Sequence, residues 1–409
     1  MNASEEYTLG LCHKTFLSLW SYANPRSEPG KELCDVLVVC DPDVVVFSVK
    51  DIQFRDTGNF TVNAERWSRK AVDESIHQLY GAKRWLEQAS HVIRKDGTLG
   101  LTLPPTSRRR LHLVAVALGA DGQLPIASAD TGKGFVHVLQ KESLERVMLE
   151  LDTVTDLAAY LQAKEEFLSR TKIVVEGGEE NLLALYLTHN RSFPFSTDVL
   201  VVDDTLWKGF NSHAQVKARR ELDKVSYAWD RLIETLAGDI EGGNLQMGSS
   251  LSENELAIRA MARENRFCRR LIGRAFMEFV ERSVTDVTSR TRMLLSPSGV
   301  GYVFLTLPQN MERKYRIAEL GMRCFIARGT LKNCVTVIGI ATESRHGAKG
   351  FSLDVIRFHQ TEWTNKDQLD MEEAQSLSGF FKSPVSTNLK ENEYPTTNSA
   401  THLAEPTGN

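Results

Sequence analysis

Two short aliphatic runs joined by a tight turn constrain the fold of this chain most. Leu33 to Val39 and Val44 to Lys50 lie on either side of Asp41-Pro42-Asp43. Runs rich in valine favour extended strands, and a proline between two aspartates favours a turn. The sequence therefore predicts a β-hairpin over these residues.

The segments after the hairpin extend it to a mixed sheet. Apolar residues repeat at helical spacing from about Ser68 to Ile93, which predicts a helix. Strands are predicted at Leu111 to Leu118 and at Phe135 to Leu139. The β-β-α-β order predicts an α/β fold, with an N-terminal mixed sheet flanked by helices and followed by an α+β C-terminal region.

A chain of 409 residues is long enough for two or three domains. Residues 238–250 are rich in glycine and serine, which is typical of a linker. Ser, Thr, Asn, Pro and Glu dominate from residue 373, which predicts a disordered tail. We therefore expect an N-terminal domain over 1–140, a mostly helical connecting region over 141–240, a C-terminal domain over 251–372 and a tail over 373–409.

Composition excludes several classes of protein. The net charge is −4, so any basic surface that binds nucleic acid must be local. The six cysteines are scattered and form no zinc pattern. No apolar run approaches the roughly 20 residues of a membrane span, and the first ten residues lack the pattern of a signal peptide. The sequence predicts a cytoplasmic protein without a membrane partner.

Polar residues interrupt the hairpin where it should be most apolar. Asp35 lies on the first predicted strand, and Ser48 and Lys50 share one face of the second, because side chains alternate with a period of two. Polar groups among buried residues are costly unless they are paired or coordinated. Phosphodiester cleavage requires a carboxylate that holds a divalent cation, and a nearby ammonium that orients water and offsets negative charge. Asp35 and Lys50 suit these roles.

This pattern resembles the PD-(D/E)xK, or restriction-endonuclease-like, nuclease superfamily, over about a quarter of the chain. Its motif is an aspartate on one strand, then acid-x-lysine on the next. Asp35 and Lys50 match the motif, whereas Ser48 stands in place of the acid. The resemblance implies Mg²⁺ or Mn²⁺ as the cofactor, held by Asp35 and the carbonyl of Val49, and DNA as the partner. Glu32 is the best local substitute for the missing acid, and Asp51 is a weaker one.

Further candidates for nucleic-acid contact lie outside the hairpin. In related folds the helix after the motif packs beside the site, so Gln78 is a candidate, whereas a solvated helical face is the alternative. Arg109 belongs to a basic cluster before a strand. Ser252 and Glu255 fit a capping box that opens a long helix to about Arg282. The arginines of this helix form a stripe that would suit phosphate groups. The alternative is that acidic side chains of the protein pair with them. The stripe includes Arg263, Arg266 and Arg270.

Three functions remain open from the sequence. The first is a metal-dependent deoxyribonuclease, in defence against foreign DNA or in repair, with Asp35, Lys50, Glu32 and Ser48 at its site. The second is a nuclease-fold module that has lost catalysis and binds nucleic acid or protein, which Ser48 favours. The third is a sensor whose C-terminal half recognises a partner protein. A homo-oligomer is compatible with all three.

Overall fold

The computed structural model describes residues 1–395, except 29, 121, 125–127, 131, 195–198, 246–249, 286–288, 310, 345–351 and 383–390. The chain divides into two compact units, Met1–Lys217 and Ala218–Asn409. The boundary between them lies inside the stretch predicted as a connecting region, residues 141–240.

The first unit contains helices and strands in alternation. In chain order they are α1 (Ala3–Phe16), β1 (Ser21–Ala23), β2 (Arg26–Glu28), β3 (Lys31–Glu32), β4 (Val36–Cys40), β5 (Asp43–Asp51), α2 (Phe60–Ser68), α3 (Glu74–Leu86), β6 (His91–Ile93), β7 (Leu99–Thr102), β8 (Arg110–Leu118), β9 (Ala129–Asp130), β10 (Phe135–Leu139), α4 (Lys141–Glu150), α5 (Val154–Leu168), β11 (Lys172–Val175), α6 (Glu179–Thr188), β12 (Val199–Val202), α7 (Leu206–Ser212) and α8 (Ala214–Asp223), which crosses the boundary.

The main sheet of this unit has six strands in the order β1-β4-β5-β8-β10-β9. β4 and β5 form the predicted hairpin, with Val36 opposite Phe47 and Cys40 opposite Asp43. β8 runs parallel to β5 and places Ala117 beside Lys50. The sheet is therefore mixed, as the β-β-α-β order predicts.

Helices cover both faces of this sheet. The ring of Phe16, at the end of α1, lies 6.5 Å from the ring of Phe47 on β5. The side chain of Gln78, on α3, accepts hydrogen bonds from Ser48 and Lys50 of the same strand. Because odd and even residues of a strand point to opposite faces, α1 and α3 lie on opposite sides of the sheet.

The helix predicted from Ser68 to Ile93 is shorter and less regular than expected. A π-helical stretch, Arg69–Asp73, separates α2 from α3, and α3 ends at Leu86. The interval that follows contains β6, which pairs with β7 in a second sheet of the order β3-β2-β6-β7. A strand of three residues is too short to show the period of two that would distinguish it from the end of a helical repeat.

The second unit combines helices with one four-stranded sheet. Its elements are α9 (Ser226–Glu241), α10 (Leu251–Ala262), α11 (Arg266–Thr285), β13 (Arg290–Leu295), β14 (Val300–Leu307), α12 (Arg313–Thr330), β15 (Thr336–Glu343), β16 (Leu353–His359) and α13 (Asn365–Ser378). The strand order is β13-β14-β15-β16, and only β14 and β15 are parallel. The second unit therefore has the same order as the first unit: a hairpin, then a helix, then a strand parallel to the second strand of the hairpin.

The long helix predicted from Ser252 to Arg282 is two helices. Ser250, rather than Ser252, caps α10 by accepting a hydrogen bond from the amide of Glu253. The side chain of Asn265 then accepts from the amide of Cys268 at 2.8 Å. Asparagine is a favourable N-cap, so it starts α11 as a separate helix.

The predicted linker and tail are partly ordered. α9 continues to Glu241, inside the glycine-rich segment, and residues 246–249 lie outside the described residues. α13 continues to Ser378, and the carboxylate of Glu391 binds Arg274. The described parts of 373–409 are therefore structured, whereas 383–390 and 396–409 lie outside the described residues.

The structure confirms a mixed α/β protein with several mixed sheets. In the described ranges, no helix combines the length and the apolar character that a membrane crossing requires.

Candidate active site

Asp35 lies immediately before β4, at the open end of the hairpin. Its amide donates to the carbonyl of Phe47 at 3.2 Å, and its carbonyl accepts from the amide of Asn24 at 2.9 Å. The carboxylate accepts a hydrogen bond of 2.6 Å from the amide of Val49. Only 4% of the residue is exposed. The backbone of Phe47 on β5 and that of Asn24, just after β1, thus hold a buried acid at the open end of the hairpin.

The Asp35 carboxyl is protonated more readily than an ordinary aspartate. Burial raises its pKa from 3.8 to about 6, although the Val49 amide and the charge of Lys50 act in the lowering direction. The negative charges of Glu5 and Glu32 contribute to the rise. An acid held in an unfavourable environment beside a cation is typical of functional sites.

Lys50 and Ser48 meet at one side chain of α3. The Ser48 hydroxyl donates to Oε1 of Gln78 at 2.8 Å, and Nζ of Lys50 donates to the same oxygen at 3.3 Å. Ser48 is fully buried, whereas Lys50 is half-buried. The structure therefore places Gln78 at the site. Ser48 is used in holding Gln78 and offers no carboxylate.

Few groups near Asp35 could bind a metal ion. The N–H and C=O of one residue in an extended strand point to the same side, so the carbonyl of Val49 faces the Asp35 side of β5. Within the described part of the chain, no group of three or more His, Cys, Asp or Glu side chains is arranged to hold a metal ion. Mg²⁺ commonly retains several waters and takes only one or two protein carboxylates. Asp35 supplies one carboxylate and Val49 one carbonyl, which is the smallest set of protein ligands that fits this pattern.

Two further acids lie within electrostatic range of Asp35. Glu32 is exposed on β3. Glu5 lies on α1, and its carboxylate accepts from the amide and side chain of Asn2 in a capping box. Glu5 was not among the predicted site residues, although asparagine followed by glutamate three residues later marks the start of a helix there. Glu32 is not part of this capping box, so it is the better candidate for a second carboxylate beside Asp35.

Asp35→Asn is expected to stabilise the protein at about pH 8 more than at about pH 4. The folded-state pKa of Asp35, about 6, exceeds the ordinary value of 3.8, so the wild type loses stability as pH rises between these values. A shift of two units corresponds to about 3 kcal/mol at most. Thermal melting of both proteins at the two pH values measures this. Asp73→Asn controls for the loss of one negative charge, and a pH-independent difference would contradict the expectation.

Arg109 does not face outward as a phosphate ligand. Its guanidinium donates to the carbonyl of Pro104 at 2.8 Å, to that of Ala89 at 3.0 Å and to that of Leu86. Burial lowers its pKa. Because the carbonyls of Leu86 and Ala89 lie at and just beyond the C-terminal end of α3, Arg109 caps that helix, and the predicted contact with nucleic acid is replaced by a structural role.

The predicted arginine stripe is mostly internal. Arg266 and Arg270 are 5% and 0% exposed. Arg266 pairs with Asp230 at 2.8 Å, and Arg270 pairs with Asp223 at 3.1 Å. Arg263 is half-buried at the end of α10, where the helix breaks. Acidic partners within the protein therefore take the place of the phosphates that were predicted for this stripe.

No family model, no curated protein and no solved structure matches this chain. Its function is therefore inferred from the geometry of the site.

Proposed function

We propose that the unit Met1–Lys217 is a metal-dependent deoxyribonuclease of the restriction-endonuclease-like type. The observation that carries the proposal is the buried Asp35 carboxylate at the open end of β4 and β5, within electrostatic range of Lys50. The order of a hairpin, a helix and a parallel strand around that acid agrees with the proposal.

Each residue of the site has a separate task in this proposal. Asp35 and the carbonyl of Val49 hold a divalent cation, and Glu32 supplies a second carboxylate. That cation provides Lewis-acid stabilisation of the charge that develops on the scissile phosphate. The ammonium of Lys50 orients the attacking water and offsets the same negative charge. Gln78 fixes the direction of Lys50 through the hydrogen bond to its Oε1.

Supercoiled plasmid and linear DNA, incubated with Mg²⁺ or Mn²⁺, test the proposal. We expect the purified protein to cut DNA with either ion and to stop when EDTA is added. Absence of cleavage on both substrates with both ions would contradict a nuclease function.

A second candidate is a nuclease-fold module that binds nucleic acid without cutting it. The buried Ser48, which donates to Gln78 where the superfamily has an acid, favours this alternative. It predicts salt-sensitive DNA binding together with no saturable binding of Mn²⁺. Cleavage in the assay above would exclude it.

A further inference from the structure

A short segment near the C-terminus, residues 391–394, binds arginines of two helices in the second unit. Its sequence is Glu-Asn-Glu-Tyr, and it forms neither a helix nor a strand. The arginines are Arg219 on α8, and Arg270 and Arg274 on α11. We call this segment the strap, and the surface that the three arginines form the strap site.

Arg270 lies at the centre of the strap site and is 0% exposed. Its guanidinium donates to the main-chain carbonyl of Asn392 at 3.0 Å and to that of Glu393 at 3.2 Å. Nε of the same group lies 3.1 Å from the carboxylate of Glu391, and Nη1 lies 3.1 Å from that of Asp223. One buried side chain thus binds both the backbone of the strap and its first carboxylate.

The other two arginines bind side chains at the two ends of the strap. Arg274 pairs with Glu391 at 2.7 Å, and Arg219 lies 3.7 Å from the carboxylate of Glu393. The guanidinium of Arg219 also lies over the ring of Tyr394, 5.3 Å from its centroid, where a cation and an aromatic ring attract each other. The site therefore matches a carboxylate, a second carboxylate two residues later, and an aromatic ring directly after it.

The chemistry of the strap site favours a protein segment over a nucleic acid. Arg270 donates to two peptide carbonyls, which the backbone of a nucleic acid does not offer. The carboxylate of Asp223 lies within the site, 3.1 Å from Arg270 and 3.7 Å from Arg219, and it would repel a row of phosphates. Clusters of arginine are a common means of recognising acidic peptide motifs.

We propose that the strap site recognises short acidic segments of the pattern Glu-x-Glu-Tyr, and that the strap occupies it as a tethered ligand. The partner is a protein that presents such a segment and takes the place of the strap. The side chains of Arg274 and Glu393 are 26% and 24% exposed, so a competing segment can enter where water already reaches the ion pairs. This inference concerns the second unit and is independent of the nuclease function proposed for the first.

Fluorescence anisotropy with a labelled peptide of residues 388–398 tests this proposal. The protein is the full-length chain, either as wild type or as a strap variant. In the strap variant, Glu391→Gln, Glu393→Gln and Tyr394→Ala remove the side chains that hold the strap. We expect the strap variant to bind the peptide at least about tenfold more tightly than the wild type, because a tethered competitor acts at an effective concentration on the order of millimolar.

Two changes test whether the peptide binds through the contacts described. A peptide with glutamine in place of Glu391 and Glu393 should bind the strap variant about tenfold more weakly, since it leaves the buried guanidinium without its carboxylates. Arg274→Ala, added to the strap variant, should weaken binding of the unmodified peptide while the partly exposed position leaves the fold intact. As a control, Glu372→Gln with Glu373→Gln removes two exposed negative charges from α13 and should bind the peptide as wild type does.

Several results would overturn the proposal. They are absence of peptide binding by the strap variant, equal affinity of the strap variant and the wild type, and equal affinity for the glutamine peptide. Displacement of the peptide by a DNA strand of about 20 nucleotides would show that the site recognises phosphates and that its assignment to a protein segment is wrong. Thermal melting followed by circular dichroism checks that the strap variant is folded. Tyr394→Ala alone is the milder change and should tighten peptide binding about threefold.

Discussion

Lys50→Ala is expected to lower the rate of Mg²⁺-dependent DNA cleavage by about 100-fold or more. The ammonium is the cation that acts on the Asp35 carboxylate, and it is fixed by Gln78 at 3.3 Å. Removal of one group that stabilises charge in a transition state commonly lowers the rate by about 100- to 1,000-fold. Alanine at this half-buried position leaves the sheet hydrogen bonds in place, so the fold should persist.

Single-turnover cleavage of a labelled oligonucleotide, with the protein in excess, measures this effect without a contribution from product release. Lys83→Ala is the matched control, because Lys83 lies on α3 and donates to the carbonyl of Lys133, away from Gln78. We expect its cleavage rate to stay within about threefold of wild type, far below the loss expected at a transition-state contact. A Lys50→Ala protein that cuts as fast as wild type would show that Lys50 has no role in catalysis.

Asp230→Ala is expected to lower the free energy of unfolding of the second unit by about 3–5 kcal/mol. The Asp230 carboxylate pairs with Arg266 at 2.8 Å and with Arg269 at 2.7 Å. Burial alone would raise the pKa of Asp230, but the two guanidinium groups hold it below its ordinary value. Removal of the acid leaves two buried cations without their carboxylate.

Chemical denaturation followed by circular dichroism measures this loss. Glu221→Ala is the control, since Glu221 pairs with Lys224 where both side chains are more than half exposed. Exposed pairs contribute about 0–1 kcal/mol, so this variant should unfold almost as wild type does. An equal effect of the two substitutions would show that the arginine cluster is not a buried ion-pair network.

The hairpin at the centre of the site could be predicted because local chemistry determines it. Valine-rich runs, a turn with proline between aspartates, and a period of two are all visible in the sequence. They predict the hairpin that β4 and β5 form. Ser48 and Lys50 share a face for the same reason, and both contact Gln78.

The arginine stripe of the second unit could not be interpreted from spacing alone. A regular row of cations on a helix is the same in sequence whether it faces solvent or internal acids. Asp223 and Asp230 lie more than 30 residues before Arg266, and Glu391 lies more than 100 residues after Arg270. Only the tertiary fold brings these partners together. The same holds for two carbonyl partners of Arg109, those of Leu86 and Ala89, which lie 23 and 20 residues before it, whereas its third partner, Pro104, is only five residues away.

We propose that Asp35 holds a divalent cation beside Lys50, and titration of the protein with Mn²⁺ tests this site most directly. Calorimetry of the wild type should show saturable binding of one ion at submillimolar to millimolar metal, and Asp35→Asn should abolish that binding. Glu6→Gln, on the first turn of α1, controls for the loss of one negative charge and should bind as wild type does. Absence of saturable binding in the wild type, or the same binding in Asp35→Asn, would contradict the claim.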